Sequence, residues 1–340
     1  MKGKIIILVF GLIFSGIRVI AQKNFNEYVK LYPIGEDPNI RGMSSYRSEE
    51  TILFEANPTV RFSVYNNFLK QLGNDSCHAQ AWYVSVRPQF RMYTDNSLPV
   101  KTPSYRVFFG TQHLFRLGHK DMEERNERFI GFSLESGHYS NGQSGCAFSK
   151  AIEDGTAACD SVYGAITPES DLSELLNRES GNFSTNLTEL ILTYRRYTLD
   201  DDSNPGNGHI FNAGIVLYHD RFLGLGNFGG FSDNDINLYG RWRFLAGYEF
   251  MHVFKNGAGT RISLKENIEL ISGAAAQVNP LRNEVTITWY PFKHSRALGF
   301  LASYIYGHDN YNFRFVDSGN QGTLGITWSQ FPPVRISNRF

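Results

Sequence analysis

The sequence has no excess charge of either sign, because 33 acidic residues balance 33 basic ones. Proteins that bind nucleic acid need a basic surface for the phosphates, so this balance gives no support for such a partner. Cysteine is scarce as well, and three residues in 340 are too few for a disulfide-rich scaffold. Walker and HExxH motifs are missing, which removes the usual sequence evidence for nucleotide or zinc chemistry.

Long apolar runs are missing after the first residues. Lys2 and Lys4 precede an apolar run of about ten residues, whereas a membrane-spanning helix needs about twenty. The pattern predicts a secretory signal peptide over residues 1–21, with an uncleaved anchor as the alternative. In an exported chain, Cys146 and Cys159 are expected to close a small loop as a disulfide, which leaves Cys77 without a partner.

What the sequence does contain is aromatic residues, at 14%, and frequent glycine, a composition that favours strands and tight turns. Residues 22–50 are polar, contain Pro33 and Pro38, and are expected to form an irregular periplasmic arm. The long segments 51–69 and 238–254 each leave room for one strand more than the eleven candidates that can be counted. These candidates lie at about residues 51–69, 80–93, 105–117, 128–140, 184–198, 209–218, 238–254, 260–271, 283–292, 297–306 and 322–330.

Apolar and polar residues alternate within these segments. Val285, Ile287 and Trp289 interleave with Thr286 and Thr288, for example. Alternating segments of about ten residues are typical of transmembrane barrels, in which one face meets lipid and the other lines the lumen. A soluble β-sandwich alternates in the same way and is the alternative. We predict an all-β fold, a transmembrane antiparallel up-and-down barrel over 51–331, with a long external loop at 141–183 and a tail over 332–340.

Residues 128–142, RFIGFSLESGHYSNG, combine this alternation with reactive side chains. Counting by twos from Ile130 places His138 and Ser140 on the apolar face, which is the lipid face of a barrel. The next strand returns from the same external end with Asn186 on its apolar face, close enough to reach the His138 ring. Such a set can work as a triad, with Ser140 as nucleophile, His138 as general base and Asn186 orienting the imidazole.

These residues resemble a known family. HYSNG over 138–142, followed by S-T-N over 184–186, is similar to the H-x-S-N-G and S-x-N elements of outer-membrane phospholipase A of Gram-negative bacteria. Three further segments are similar to that family: SLPVKTPSYRVFFG from residue 97, YIYGHDNYNFRF from residue 304 and GTLGITWSQF from residue 322. The resemblance covers most of residues 80–331.

The resemblance implies a twelve-stranded outer-membrane barrel that hydrolyses acyl esters of glycerophospholipids, with His138, Ser140 and Asn186 as the catalytic residues. It also implies calcium dependence and a reversible homodimer. The implied calcium ligands correspond to Ser97, Gln143, Asn182 and Asp202. One departure is the spacing between Ser140 and Asn186, which is longer than the family's because of the cysteine-containing loop. The alternative is an inactive, structural or pore-forming barrel of the same fold.

Overall fold

The computed structural model describes residues 31–44, 51–73, 76–94, 100, 103–118, 126–141, 152, 156–165, 167, 183–199, 205–222, 226–227, 233–254, 260–292, 297–311, 315 and 318–331. The chain divides into two compact units at Leu31, and the barrel belongs to the second, residues 32–340. Within the described residues, no helix is both long and apolar enough to cross a membrane.

Fifteen strands and three short helices are described, and strands dominate the chain. The strands are β1 (Asn39–Met43), β2 (Ile52–Asn57), β3 (Val60–Asn66), β4 (His78–Tyr93), β5 (Ser104–Arg116), β6 (Asn126–Ser140), β7 (Ser184–Leu199), β8 (Pro205–His219), β9 (Arg221–Phe222), β10 (Gly226–Asn227), β11 (Gly240–Val253), β12 (Arg261–Ala274), β13 (Leu281–Tyr290), β14 (Leu298–His308) and β15 (Ser318–Trp328). The helices are α1 (Phe68–Gly73), α2 (Ala157–Gly164) and α3 (Asp233–Tyr239).

Thirteen of these strands form a closed antiparallel barrel of twelve strands plus one extra strand, and β9 and β10 pair with each other in a separate two-stranded sheet. Neighbours in the chain pair from β3 through β8 and from β11 through β15, and β8 pairs with β11. Closure depends on β1, which pairs with β15 on one edge and β2 on the other, while β2 also pairs with β4. The predicted barrel architecture is therefore confirmed.

The structure corrects the expected origin of the twelfth strand. Residues 22–50 were predicted to be an irregular arm, yet β1 lies within them and closes the barrel. The segment 51–69 supplies one barrel strand, β2, which pairs with β1 and β4, and the extra strand β3, which also pairs with β4. Pro58 and Thr59 separate the two strands. Proline lacks the backbone N–H that a ladder needs, so the break falls there.

Charged side chains line the inside of the barrel, and apolar ones cover its outside. Arg91 is 2% exposed and pairs with Glu55 of the neighbouring strand β2 and with Asp309, at 2.6 Å in each case. Arg87 pairs with Glu135, which also accepts a hydrogen bond from the Tyr83 hydroxyl at 2.5 Å. The outer face carries exposed residues such as Phe109, Ile130, Leu134, Leu192, Ile215, Leu264, Ile287, Trp289 and Leu324.

Residues 32–37 line the lumen together with the inward faces of the strands. The Ile34 backbone exchanges two hydrogen bonds with the Gln112 side chain, at 3.1 and 2.6 Å. The Arg195 guanidinium donates to the Pro33 carbonyl, and Arg106 lies 3.6 Å from Glu36. This segment and the ion pairs leave a lumen cavity of about 440 Å³.

A testable consequence concerns Glu135. Replacing Glu135 with Gln removes the charge that compensates buried Arg87, so we expect a loss of about 3 kcal/mol in the free energy of unfolding. Denaturant titration in detergent micelles measures this loss. The control is Glu266→Gln, because Glu266 is exposed and accepts a hydrogen bond from the Asn283 amide at 3.0 Å. The carbonyl oxygen of a glutamine side chain can accept the same hydrogen bond. Equal stability of the two variants would contradict the assigned role of the Arg87–Glu135 pair.

Candidate functional site on the outer face

His138, Ser140, Asn186 and Ser184 lie together on the outer face, where β6 ends and β7 begins. The antiparallel register pairs His138 with Asn186 and Ser140 with Ser184. Tyr139 and Leu187, which alternate with them along the two strands, are buried and line the lumen cavity. His138 and Ser140 are half-buried, and Ser184 is exposed.

The His138 ring is held by an amide. Its Nδ1 lies 3.0 Å from Asn186 Oδ1, and Asn186 itself has no exposed surface. An amide oxygen only accepts hydrogen bonds, so Nδ1 carries the proton and donates it. The other ring nitrogen, Nε2, is left with a lone pair, which is the state that a general base needs.

One of the two serine hydroxyls contacts this nitrogen. Ser184 Oγ lies 3.5 Å from His138 Nε2. Within the part of the chain that the structure describes, Ser140 Oγ forms no hydrogen bond with His138. Ser140 follows His138 by two positions on the same strand, so about 6.6 Å of strand separates their Cα atoms.

A second polar group continues along the same face. The Arg221 amide donates to His219 Nδ1 at 3.3 Å, and His219 Nε2 lies 3.0 Å from Thr188 Oγ1. Thr188 in turn lies 2.9 Å from the hydroxyl of Ser136, which donates to the Leu187 carbonyl at 3.3 Å. The polar side chains of this hydrogen-bonded series therefore all have partners, as polar groups that face lipid require.

Sequence reasoning missed Ser184 and His219 as members of this group. Ser184 belongs to the S-T-N motif but was given no role, and the strand parity that selected Asn186 selects it equally. His219 lies one residue beyond the predicted end of its strand at 218, and counting by twos from Phe211 places it on the outer face.

The inner side of these strands is packed by an apolar cluster. Tyr139, which lies between His138 and Ser140, contacts Phe183 with ring centroids 4.6 Å apart. The cluster also includes Cys159 of α2 and Leu238 of α3, so the chain segments that follow β6 and β8 fold against the barrel interior. Packing of this kind fixes the backbone that carries the outward-facing site.

The first turn of helix α2 is capped by a threonine side chain. Thr156 precedes it, and its hydroxyl accepts a hydrogen bond from the Cys159 amide at 3.3 Å, which caps the first turn. Cys159 is disulfide-bonded, and Cys77 is a free, exposed thiol. Cys146 lies outside the described residues, as do residues 1–30, the tail and most of the loop 141–183.

The predicted calcium ligands Ser97, Gln143, Asn182 and Asp202 also lie outside the described residues. Among the residues that are described, no cluster of three or more His, Cys, Asp or Glu could hold a metal. Calcium takes six to eight oxygen ligands and favours carboxylates. The described neighbours of His138 offer only hydroxyl and amide oxygens, so they do not form a calcium site by themselves.

Comparisons with known proteins extend to the fold alone. No family model matches the chain, and the search of curated proteins finds no match. Similar solved structures include an outer membrane phospholipase A from Escherichia coli, with 10% identity, 90% of this chain and 97% of that one covered, and a TM-score of 0.47.

Two other similar structures are a second phospholipase and a channel. A Salmonella typhi outer membrane phospholipase dimer with bound calcium has 11% identity, covers 88% of this chain and 92% of that one, and gives a TM-score of 0.47. An outer membrane channel from Pseudomonas putida F1 has 9% identity, with 88% and 97% covered and a TM-score of 0.38. Likenesses at this level do not decide between hydrolase and channel. The class that the structure defines is a transmembrane barrel of the outer-membrane type.

Gly137 gives a direct test of the site's packing. A Cβ atom at Gly137 would meet the Val107 carbonyl oxygen at 2.0 Å, so β5 and β6 approach closely only because this residue is glycine. We expect Gly137→Ala to lower the free energy of unfolding by about 1–3 kcal/mol through overpacking. Gly322→Ala is the matched control, because nothing lies within 4 Å of the added methyl group. Denaturant midpoints compare the two, and an unchanged midpoint for Gly137→Ala would refute the close approach.

Proposed function

We propose that this protein is an outer-membrane phospholipase that hydrolyses acyl ester bonds of glycerophospholipids. The observation that supports this most is the 3.0 Å contact between His138 Nδ1 and Asn186 Oδ1 on the outer face, beside the Ser140 hydroxyl. A soluble hydrolase would place such a pair in a water-filled cleft. Here the only surface that the site can serve is the one that faces lipid.

The geometry suggests a role for each residue. Asn186 fixes the tautomer, and the His138 Nε2 lone pair takes the proton of the serine hydroxyl as it attacks the ester carbonyl. The sequence motif assigns that hydroxyl to Ser140. His138 then returns the proton to the departing lysolipid oxygen, and water releases the fatty acid from the acyl-enzyme by the same steps. Asn186 is neutral, so it orients the ring but stabilises the imidazolium less than a carboxylate would.

Histidine substitutions test this proposal. We expect His138→Ala to lower fatty-acid release from phospholipid in mixed micelles by about 10²- to 10⁴-fold, since the general base is lost. Asn186→Ala should cost less, because the base remains but its ring is no longer oriented. His113→Ala is the control, as His113 lies on the same outer face near the opposite end of the barrel. Equal activity of the His138 and His113 variants would refute the proposal.

Calcium is part of the proposal through the resemblance, with Ser97, Gln143, Asn182 and Asp202 as the candidate ligands. When bound near a developing oxyanion, a divalent cation supplies positive charge. We expect chelation by EDTA to abolish hydrolysis and added calcium, but not magnesium, to restore it. Sedimentation in detergent with and without calcium tests the proposed reversible homodimer in the same samples. Full activity in EDTA would remove calcium from the account.

The alternative function is a pore or a structural barrel. The lumen argues against a pore, because residues 32–37 and the Arg91 ion pairs occupy it. We therefore expect no stable conductance steps when the purified barrel is inserted into planar bilayers. Large, ohmic steps in the wild-type protein, together with no esterase activity, would favour the channel.

A further inference from the structure

Ser184 contacts the nitrogen that the reaction needs. Its hydroxyl lies 3.5 Å from His138 Nε2, and its side chain is exposed on the outer face. Because Nδ1 donates its proton to Asn186, Nε2 is an acceptor and the Ser184 hydroxyl is the donor. At 3.5 Å this is a long and weak hydrogen bond.

One strand therefore supplies both contacts of the ring. Asn186 and Ser184 are two positions apart on β7, so they face the same way and hold the imidazole at Nδ1 and Nε2. Ser140 lies on the histidine's own strand, directly opposite Ser184 in the register. The diagonal pair across this register, His138 and Ser184, is in hydrogen-bond contact.

We propose that Ser184 is a positioning residue that holds His138 on β7 and competes with Ser140 for Nε2. The inference rests on the proposed function and adds to it a second hydroxyl on the same base. In this geometry the ring must release Ser184 before it can accept the Ser140 proton. Removing the Ser184 hydroxyl should then make Ser140 more reactive.

The size of the effect follows from the strength of the contact. A neutral hydrogen bond contributes a net change of about two- to tenfold in an equilibrium, and this one is at the weak end. We therefore expect Ser184→Ala to increase the rate of covalent labelling of Ser140 by about two- to fivefold.

An alkyl fluorophosphonate tests the proposal on the full-length protein in detergent micelles. In the labelling step the serine Oγ–P bond forms, the P–F bond breaks, fluoride leaves and the hydroxyl proton passes to His138 Nε2. Mass spectrometry identifies the labelled serine, and the labelling rate is compared among the wild type, Ser184→Ala, Ser184→Thr and Ser136→Ala. Ser184→Thr keeps the hydroxyl, and Ser136→Ala removes one from the same face that contacts Thr188 instead.

The expected result is a label on Ser140 in every variant, faster in Ser184→Ala and at the wild-type rate in Ser184→Thr and Ser136→Ala. Folding of each variant is checked by its denaturant midpoint. A label on Ser140 that is equally fast or slower in Ser184→Ala overturns the competition. A label on Ser184 also overturns it, because Ser184 would then be the nucleophile. If folded wild-type protein takes no label on either serine, the proposed function fails together with this inference.

Discussion

Each strand of the closed barrel must be hydrogen-bonded on both edges, because no water reaches the backbone of a strand that is exposed to lipid. Every other feature depends on that closure. The last edge is closed by β1, a strand of five residues that pairs with β15 and with β2. Residues 32–37, which immediately precede β1 and its leading Pro38, then extend into the lumen and bind inward-facing side chains such as Gln112 and Arg195.

Closure of the barrel also gives each side chain one of two environments, the lumen or the outer face. Charged residues on the inward face find partners of opposite charge, as Arg91 does with Glu55 and Asp309. Polar groups on the outward face have no such lumen and must satisfy one another. The His138–Asn186 pair and the chain from His219 through Thr188 to Ser136 are the result. A histidine whose Nε2 is a hydrogen-bond acceptor on this face is the chemical reason for proposing a hydrolase.

Much of the fold could be predicted from the sequence because alternation with a period of two is a local property. Counting by twos placed His138 on the outer face without any knowledge of the pairing. β1 escaped that reasoning because it is short, follows Pro38, and depends on pairing with β2 and with β15, which is distant in sequence. The same limit applies to the site. The contact of Ser184 with His138 joins side chains of two different strands, and no local pattern in the sequence records it.

The central claim is that the barrel face that carries His138 and Ser140 is in contact with lipid. Spin labelling tests this claim most directly. A nitroxide is attached to Ser140→Cys, Leu134→Cys or Asn212→Cys in a Cys77→Ser background, with the protein in liposomes. Leu134 is exposed on the outer face, and Asn212 lines the lumen cavity. We predict that the label at 140 relaxes with oxygen as the label at 134 does, since oxygen concentrates in lipid. A label at 140 that instead behaves like the one at 212 would contradict the account.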